Sequence, residues 1–274
     1  PIVLRLGPPG CRIYLRRNGG GTVYEKIDLH LHTHYLGCAD ETMTIPNIVR
    51  KAENLGLEKI AITDHRWGDD PLNKHRLIRG DLQQVDTDVE TIFGVEVDSC
   101  GPATAGVTIS EQEIDDLGFE FIVGGVHGSY FDQPDPEGVI ELQQELMLDV
   151  ARHPLVEVLA HPWSFMGRDF ASGVLDWMTD MSRIPEDYAK QLGAVAAEHN
   201  TAVEANAGAI WIRDEYSEQF VADYEKYLRS VAAEGAKIAI CSDAHNINRI
   251  ASCKIAGRAV RELGIPPAQL YTAI

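Results

Sequence analysis

The chain has 274 residues, of which 45% are hydrophobic and 24% are charged, a composition typical of a globular protein with one or two domains. Its net charge of −18 disfavours nucleic acid as a partner, because that binding depends on lysine and arginine replacing counterions. No apolar run approaches the roughly 20 residues that span a bilayer, so no membrane association is expected.

Five cysteines occur, an odd number, and none forms a CxxC pair. This usage disfavours a disulfide scaffold and predicts a reducing, cytoplasmic location. The sequence gives no indication of the oligomeric state.

Seven short segments rich in isoleucine, valine and alanine predict buried parallel strands, at 26–29, 58–63, 91–97, 119–126, 156–160, 201–206 and 236–242. Helical patterns fall between most of them, at 45–56, 136–153, 185–200, 218–235 and 248–264. Alternation of strands and helices along the whole chain predicts an α/β fold.

The domain organisation predicted from the sequence is simple. No linker or repeat interrupts residues 26–274, so one barrel domain is expected there. Residues 1–25 are expected to form a short N-terminal extension, with a hairpin as one interpretation. Residues 66–81 are predicted to form a long loop that borders the functional site.

Residues of the types that bind metals follow the end of nearly every predicted strand. The local sequences are IDLHLHTH, IAITDH, FGVEV, FIVGGVH, VEVLAHPW and AICSDAH. In a parallel α/β barrel the active site lies at the C-terminal ends of the strands, whereas an open doubly wound sheet gathers its site at one switch point. The pattern therefore predicts a closed or nearly closed barrel and a centre for more than one divalent metal ion, built from His30, His32, His65, Glu96, His127, His161, Asp243 and His245.

The spacing supports this prediction. His30 and His32 point to the same side of an extended segment, because strand side chains alternate. Glu96 lies inside an apolar segment, where a carboxylate needs a cation, either a metal or the partner in a buried salt bridge. At the end of the second strand, His65 is the expected ligand and Asp64 the group that orients it.

The motifs DLHLHTH, ITDH, GVE, GVHG, AHPW and CSDAH occur in this order over residues 28–245. Together they resemble the PHP (polymerase and histidinol phosphatase) family of metal-dependent phosphoesterases. The resemblance implies a distorted seven-stranded (β/α)7 TIM-like barrel with two or three divalent ions, which could be zinc, manganese or iron. By position, it implies a first ion at His30, His32, Glu96 and Asp243, a second at Glu96, His127 and His161, and a third at His65 and His245.

The chain departs from the family pattern at the third ion. Many family members have a histidine or an aspartate several residues after the HxH motif, where this chain has Cys38. Three interpretations remain open: Cys38 is a thiolate ligand, Asp40 takes its place, or the third site is weak.

The resemblance further implies a hydrolase that releases phosphate from a small phosphomonoester, similar to histidinol phosphate or a nucleotide, by a hydroxide that the metal activates. Glu96, Asp64 and His65 are assigned to catalysis, with Asp64 or an unligated His65 among the candidate proton donors. Arg66 and Arg249 are expected to bind the phosphate, because a guanidinium donates two parallel hydrogen bonds. Two interpretations are open for Trp163 and Trp211: an apolar wall for a substrate ring, or packing at the rim of the site.

Three other functions remain open from the sequence. An amidohydrolase-like enzyme would cleave a C–N bond with the same metal centre, and a nuclease-type phosphodiesterase would act on nucleic acid, which the acidic charge disfavours. The third is a metal-binding protein without activity. The chain has no GxxxxGK[ST], GxGxxG or GxSxG motif at a strand–helix turn, which disfavours a nucleotide-triphosphate motor and covalent serine catalysis.

Overall fold

The computed structural model describes residues 2–4, 13–15, 22–67, 72–128 and 135–272. The strands are β1 (Ile2–Leu4), β2 (Ile13–Leu15), β3 (Ile27–Leu31), β4 (Lys59–Ile62), β5 (His65–Arg66), β6 (Glu90–Asp98), β7 (Phe121–Gly125), β8 (Val158–Leu159), β9 (Ala202–Asn206), β10 (Ile238–Cys241) and β11 (Leu270–Tyr271). The α-helices are α1 (Ile45–Leu55), α2 (Asn73–Leu82), α3 (Glu111–Leu117), α4 (Pro136–Arg152), α5 (Gly167–Ala171), α6 (Glu186–His199), α7 (Glu218–Ala233) and α8 (Cys253–Glu262).

A curled parallel sheet forms the centre of the molecule. Its strands follow the order β3, β4, β6, β7, β8, β9, β10 and β11, and the short β5 pairs with β6. The two sides of the curl approach each other where Leu31 forms a parallel bridge with Ala244 and the Asp243 N–H donates to the His30 carbonyl at 3.0 Å. The predicted α/β, TIM-like, single-domain architecture is confirmed, and seven of these strands correspond to the seven predicted from the sequence.

Two apolar layers stabilise the sheet. Small and branched side chains fill the inside of the curl, among them Leu29, Val123 and Val158, all completely buried. At the end opposite the strand C-termini, the Tyr271 ring stacks on Phe121 with ring centroids 6.0 Å apart. Helices cover the outer face, and their apolar sides form the larger core. Such dense packing holds the strand ends in fixed positions, which a metal centre requires.

The helices begin and end where the sequence supplies capping groups. The Thr44 side chain accepts from Asn47 N–H at the start of α1, and Gly56 ends that helix with a φ of +69°. Asp135 caps α4 and Ser217 caps α7 in the same way. These caps explain why the predicted helix boundaries agree with the structure to within one or two residues for these helices.

One sequence prediction about the loops is wrong. The segment 66–81 was expected to be a loop, but it is helical from residue 73 on, as α2, and residues 68–71 lie outside the described residues. That helix is mostly polar, has no side-chain cap at its start and buries only His75 and Ile78, so its apolar periodicity is weak. The short helices α3 and α5 were also missed.

The hairpin considered for the N-terminal extension is present as β1 and β2, which pair antiparallel with Ile2 opposite Leu15. After it, a 3₁₀ turn at Val23–Glu25 packs against α8. The Tyr24 hydroxyl donates to the Ile265 carbonyl at 2.6 Å. In the part of the chain that the structure describes, no helix combines the length and the apolar composition that crossing a membrane requires.

Candidate metal centre

Glu96 lies at the centre of a group of imidazoles at the C-terminal ends of the strands. Its Oε1 atom lies 3.1 Å from His127 Nε2 and 3.0 Å from His161 Nε2. Its Oε2 atom lies 2.7 Å from His65 Nδ1 and 3.2 Å from His30 Nε2. Each carboxylate oxygen therefore faces its own set of ring nitrogens, an arrangement suited to joining two cations.

The HxH motif and Asp243 form the neighbouring part of the group. His32 Nε2 lies 3.2 Å from Asp243 Oδ1 and 3.0 Å from His30 Nε2. His30 belongs to β3, whereas Asp243 follows β10 by two residues, so the contact joins the two sides of the curled sheet. Asp243 has a φ of +52° and His161 a φ of +26°, both in the left-handed region. Strained backbone of this kind often occurs at functional sites.

The buried acidic groups favour positive charge at this position. Burial lowers the pKa of His30, but Glu96, Glu204 and Asp243 outweigh it and raise that pKa well above the usual value. Burial likewise raises the pKa of the Glu96 carboxyl, but His65, His30 and His127 hold it well below the usual value. The same field that retains a proton on His30 would favour a divalent cation in its place.

The pKa of His32 is shifted in the opposite direction from that of His30. Burial lowers its pKa well below the usual value, and the neighbouring His245 and His65 lower it further. A neutral imidazole is the form that binds a metal ion. The ring is therefore already in a binding state without any change of protonation.

The residues present fit divalent ions. Glu96 Oε2 is buried and has no hydrogen-bond partner among the described residues, although a ring nitrogen lies 2.7 Å away. Three groups each bring their ligand atoms within 4.8 Å of one another: His30, His32 and Glu96; His65, Glu96 and His127; and His32, Cys38, His65 and His245. Imidazole, carboxylate and thiolate are the usual ligands of zinc and related ions.

Glu204 in β9 supports the centre from behind and was missed by the sequence analysis. This carboxylate is completely buried, and its Oε1 accepts from His30 Nδ1 at 2.8 Å. Its Oε2 accepts from the His161 backbone N–H at 2.6 Å and from Asn206 Nδ2 at 2.9 Å. A proton held at His30 Nδ1 leaves the Nε2 lone pair of the neutral ring directed at Glu96 and His32. The polar residues inside the apolar segment 201–206 were the signal that could have identified Glu204.

Replacing Glu204 by Gln is expected to weaken metal binding or activity by about 10–100-fold, the usual cost of losing the group that orients a ligating histidine. An amide has only one oxygen, so it can serve either His30 or His161 in the present way, but not both. Metal content after dialysis against a graded series of metal buffers would measure the loss. Unchanged affinity would show that His30 needs no orienting carboxylate.

A cavity of about 410 Å³ opens above this centre. Its lining includes candidate ligands, an arginine and apolar side chains: Cys38, His65, Trp67, Val126, His127, His161, Ser164, Phe165, Met166, Gly167, Gly208, Ala209, Arg213, Asp243 and His245. An adjoining cavity of about 350 Å³ shares four of these residues and adds Arg249. A cavity of this size, with apolar walls and convergent polar groups, is typical of a small-molecule site. A larger cavity of about 550 Å³, between α6 and α7, contains none of the candidate ligands.

Residues 28–240 match the PHP domain family, which is most of the chain. The chain belongs to the PHP domain family. It is a metal-binding hydrolase of that family, with the ligand types of the PHP centre at the ends of its strands.

Two similar proteins illustrate the comparison. A Caldicellulosiruptor saccharolyticus protein described as a probable phosphatase is 23% identical over 243 residues, which cover 88% of this chain and 89% of the relative. The crystal structure of histidinol phosphate phosphatase from Lactococcus lactis, complexed with zinc, L-histidinol and phosphate, has a TM-score of 0.60 and 18% identity. That match covers 88% of this chain and 95% of the other, and it shows a common fold.

Close packing around the PHP centre requires a glycine at one position. A Cβ atom on Gly125 would lie 2.5 Å from His127 Cε1 and 3.3 Å from Glu96 Oε1. The end of β7 can therefore approach the centre only because no side chain intervenes.

Asp64 lies beside the PHP centre, but its hydrogen bonds differ from the expectation. Its carboxylate accepts from the Thr33 N–H at 3.0 and 3.1 Å and from the Thr33 hydroxyl at 2.9 Å. Burial raises the pKa of Asp64 to about 7, although these hydrogen bonds oppose the rise. The carboxylate thus ties the end of β4 to the segment after His32, and its hydrogen bonds within the described residues do not orient His65.

Two residues expected to bind substrate point away from the cavity. Arg66 Nη2 donates to Glu113 Oε1 at 2.9 Å and its Nη1 donates to the Trp67 carbonyl at 3.0 Å, so the guanidinium is directed towards α3. Trp163 is 0% exposed and its ring packs against Tyr227. The strand-end position alone could not show that either side chain turns into the protein.

Other aromatic and arginine side chains line the cavity in place of Trp163 and Arg66. The Trp67 ring lies 4.1 Å from the His65 ring between centroids and lines the cavity. Arg213 lines both cavities, and its Nη1 donates to the Phe165 carbonyl at 2.7 Å. Arg249 is exposed and lines only the adjoining cavity, as an arginine at the mouth would.

Proposed function

We propose that the chain is a phosphatase that releases phosphate from a small-molecule phosphomonoester. The observation that carries this proposal is the position of Glu96, whose two oxygens face separate sets of imidazoles. Divalent ions held by these sets would supply an activated water near neutral pH and polarise the phosphoryl group, which hydrolysis of a phosphate ester requires.

The proposal assigns two of the ligand sets as follows. His30, His32 and Asp243 hold one ion together with Glu96. His127 and His161 hold a second ion with the other oxygen of Glu96. The four imidazoles of these two sets lie 3.0–3.5 Å from the Glu96 oxygens. His65 Nδ1 lies 2.7 Å from Oε2 and is left to a further ion.

The relatives support the substrate class. One is described as a probable phosphatase, and the other was crystallised with zinc, L-histidinol and phosphate. Both descriptions apply to those proteins, and they favour a small phosphorylated substrate here. The cavity of about 410 Å³ has room for such a molecule, and the net charge of −18 disfavours a polymeric nucleic acid.

Arg213 is the guanidinium that we assign to the phosphate, in place of Arg66. It lines the cavity directly, whereas Arg66 is paired with Glu113 away from it. Arg213 is itself paired with Glu215 at 2.9 Å, which holds its fork in one orientation. Arg249, which lines the adjoining cavity, stays assigned to the phosphate.

We assign Trp67, which lines the cavity, to an aromatic contact with the leaving group of the substrate. Replacing Trp67 by Ala is expected to raise KM by about 2–10-fold with a smaller change in kcat, because an aromatic contact contributes about 0.5–1.5 kcal/mol. Steady-state kinetics with the best substrate would measure this. Trp177 lies outside the cavity lining, so Trp177→Ala is the matched control. An unchanged KM in Trp67→Ala would show that the leaving group does not contact Trp67.

A phosphate-release screen tests the proposed function. Protein reconstituted with zinc or manganese is assayed with p-nitrophenyl phosphate, histidinol phosphate and nucleoside monophosphates. Bis-p-nitrophenyl phosphate and a cyclic amide serve as the diester and C–N alternatives. Release from at least one monoester is expected. Cleavage of only the diester or only the amide would replace the proposal with a phosphodiesterase or an amidohydrolase.

A further inference from the structure

Cys38 lies in a short segment that folds back over the centre. A 3₁₀ turn at His34–Leu36 follows β3, and Gly37 then adopts a φ of +81°. This turn brings the Cys38 sulfur and one ring nitrogen each of His32, His65 and His245 within 4.8 Å of one another. Cys38 also lines the cavity above the centre. The thiol thus joins a group that already contains three imidazoles.

The imidazole rings around Cys38 pack against one another. The His32 and His245 rings stack with centroids 4.1 Å apart, and those of His32 and His65 lie 4.4 Å apart. His32 Nδ1 is buried and has no hydrogen-bond partner among the described residues. A buried ring nitrogen without a partner requires one, which a bound ion or an ordered water would supply.

Asp40 is the other candidate for this position, and its contacts have another role. Its carboxylate accepts from the Thr42 N–H at 2.9 Å and from Asn246 Nδ2. Its backbone N–H donates to the His245 carbonyl at 2.9 Å. These contacts fasten the 34–43 segment to the residues after β10. Asp40 therefore positions the segment that carries Cys38.

We propose that Cys38, His65 and His245 hold a third ion, with Cys38 as a thiolate, and that this position takes zinc in preference to manganese. The inference rests on the proposed function only for its consequence in catalysis. On binding, the thiol S–H bond breaks, a sulfur–metal bond forms, and the proton is released to solvent. Preference for zinc follows because thiolate sulfur is a soft ligand, whereas manganese favours oxygen.

Cobalt binding tests the thiolate directly. Metal-free protein titrated with Co²⁺ is expected to develop a near-ultraviolet sulfur-to-cobalt charge-transfer band. Cys100 is also an exposed free cysteine, so Cys100→Ser is the matched control and should keep the band. Cys38→Ser should lose the band and up to one ion per chain. A band of unchanged intensity in Cys38→Ser would overturn the proposal.

A measurement on the unaltered protein covers the case in which a variant fails to fold. Metal-free protein is alkylated with iodoacetamide, and the modified peptides are quantified by mass spectrometry. Saturating zinc is expected to protect Cys38 at least tenfold more than Cys100, whereas manganese gives little protection. Equal reactivity of Cys38 with and without zinc would also overturn the proposal.

The conservative variants separate ligation from packing. Cys38→His and Cys38→Asp should recover the third ion without recovering the charge-transfer band. The third position faces the cavity, so its loss in Cys38→Ser should raise KM more than it lowers kcat. The band and the protection are measured without substrate, so they can succeed while the phosphate-release screen fails, and the two proposals are tested separately.

Discussion

Replacing Glu96 by Gln is expected to lower phosphate release by more than about 100-fold while leaving the fold intact. Changing a residue that only orients a ligand costs about 10–100-fold, and loss of the carboxylate that joins two ligand sets should cost more. The amide keeps the size of the side chain but removes the charge that faces His65, His30, His127 and His161. Metal content should fall together with activity.

Glu157→Gln is the matched control for this experiment. Glu157 is half-buried near the opposite end of the barrel, where its Oε1 accepts from the Tyr271 hydroxyl at 3.0 Å. The same chemical change there should leave turnover within a factor of about two. If Glu96→Gln keeps more than a tenth of the original turnover, Glu96 does not join the two ligand sets.

Removal of metal is expected to abolish activity. Protein purified without chelator should contain at least two ions per chain, because the candidate ligands are too many for one four-coordinate site. Dialysis against a chelator should remove both the ions and the phosphate release, and added zinc or manganese should restore them. Elemental analysis of the same samples gives the stoichiometry.

Magnesium or calcium at the same concentration provides the control, since a site rich in imidazole favours transition metals over these oxygen-seeking ions. One ion or fewer per chain, without gain on reconstitution, would contradict a centre with two ligand sets. Full activity after complete removal would contradict metal-dependent hydrolysis altogether.

The sequence was sufficient to predict the fold and the set of converging residues, for a physical reason. Short apolar strands end abruptly, and polar residues such as His127 and His161 stand out directly after them. Parallel strands bring those ends to the same edge, so neighbours in space could be inferred without any distance. The HxH spacing at the end of β3 allowed a similar inference, because side chains alternate along an extended chain and both rings therefore point to the same side.

The direction of individual side chains was not predictable. Arg66 and Trp163 follow ligands in the sequence but turn into the protein, because Glu113 and Tyr227 offer partners that lie far away in the chain. Glu204, like Glu96, lies two residues before the end of its strand, but it was missed because the residues directly after that strand include no histidine. Such choices depend on long-range packing, which one sequence does not encode in any local pattern.

The burial of the acidic centre would make the stability of the folded protein depend on the ions that it binds. Glu96 and Glu204 are no more than 1% exposed. Both carboxylates and that of Asp243 lie within 3.7 Å of a His30 ring nitrogen. Without a metal ion, protons on imidazoles such as His30 compensate this negative charge. An ion at 100 times its dissociation constant would add about 2.7 kcal/mol to the free energy of unfolding by mass action. The supply of divalent ions would then control how much folded protein persists, in addition to how active it is.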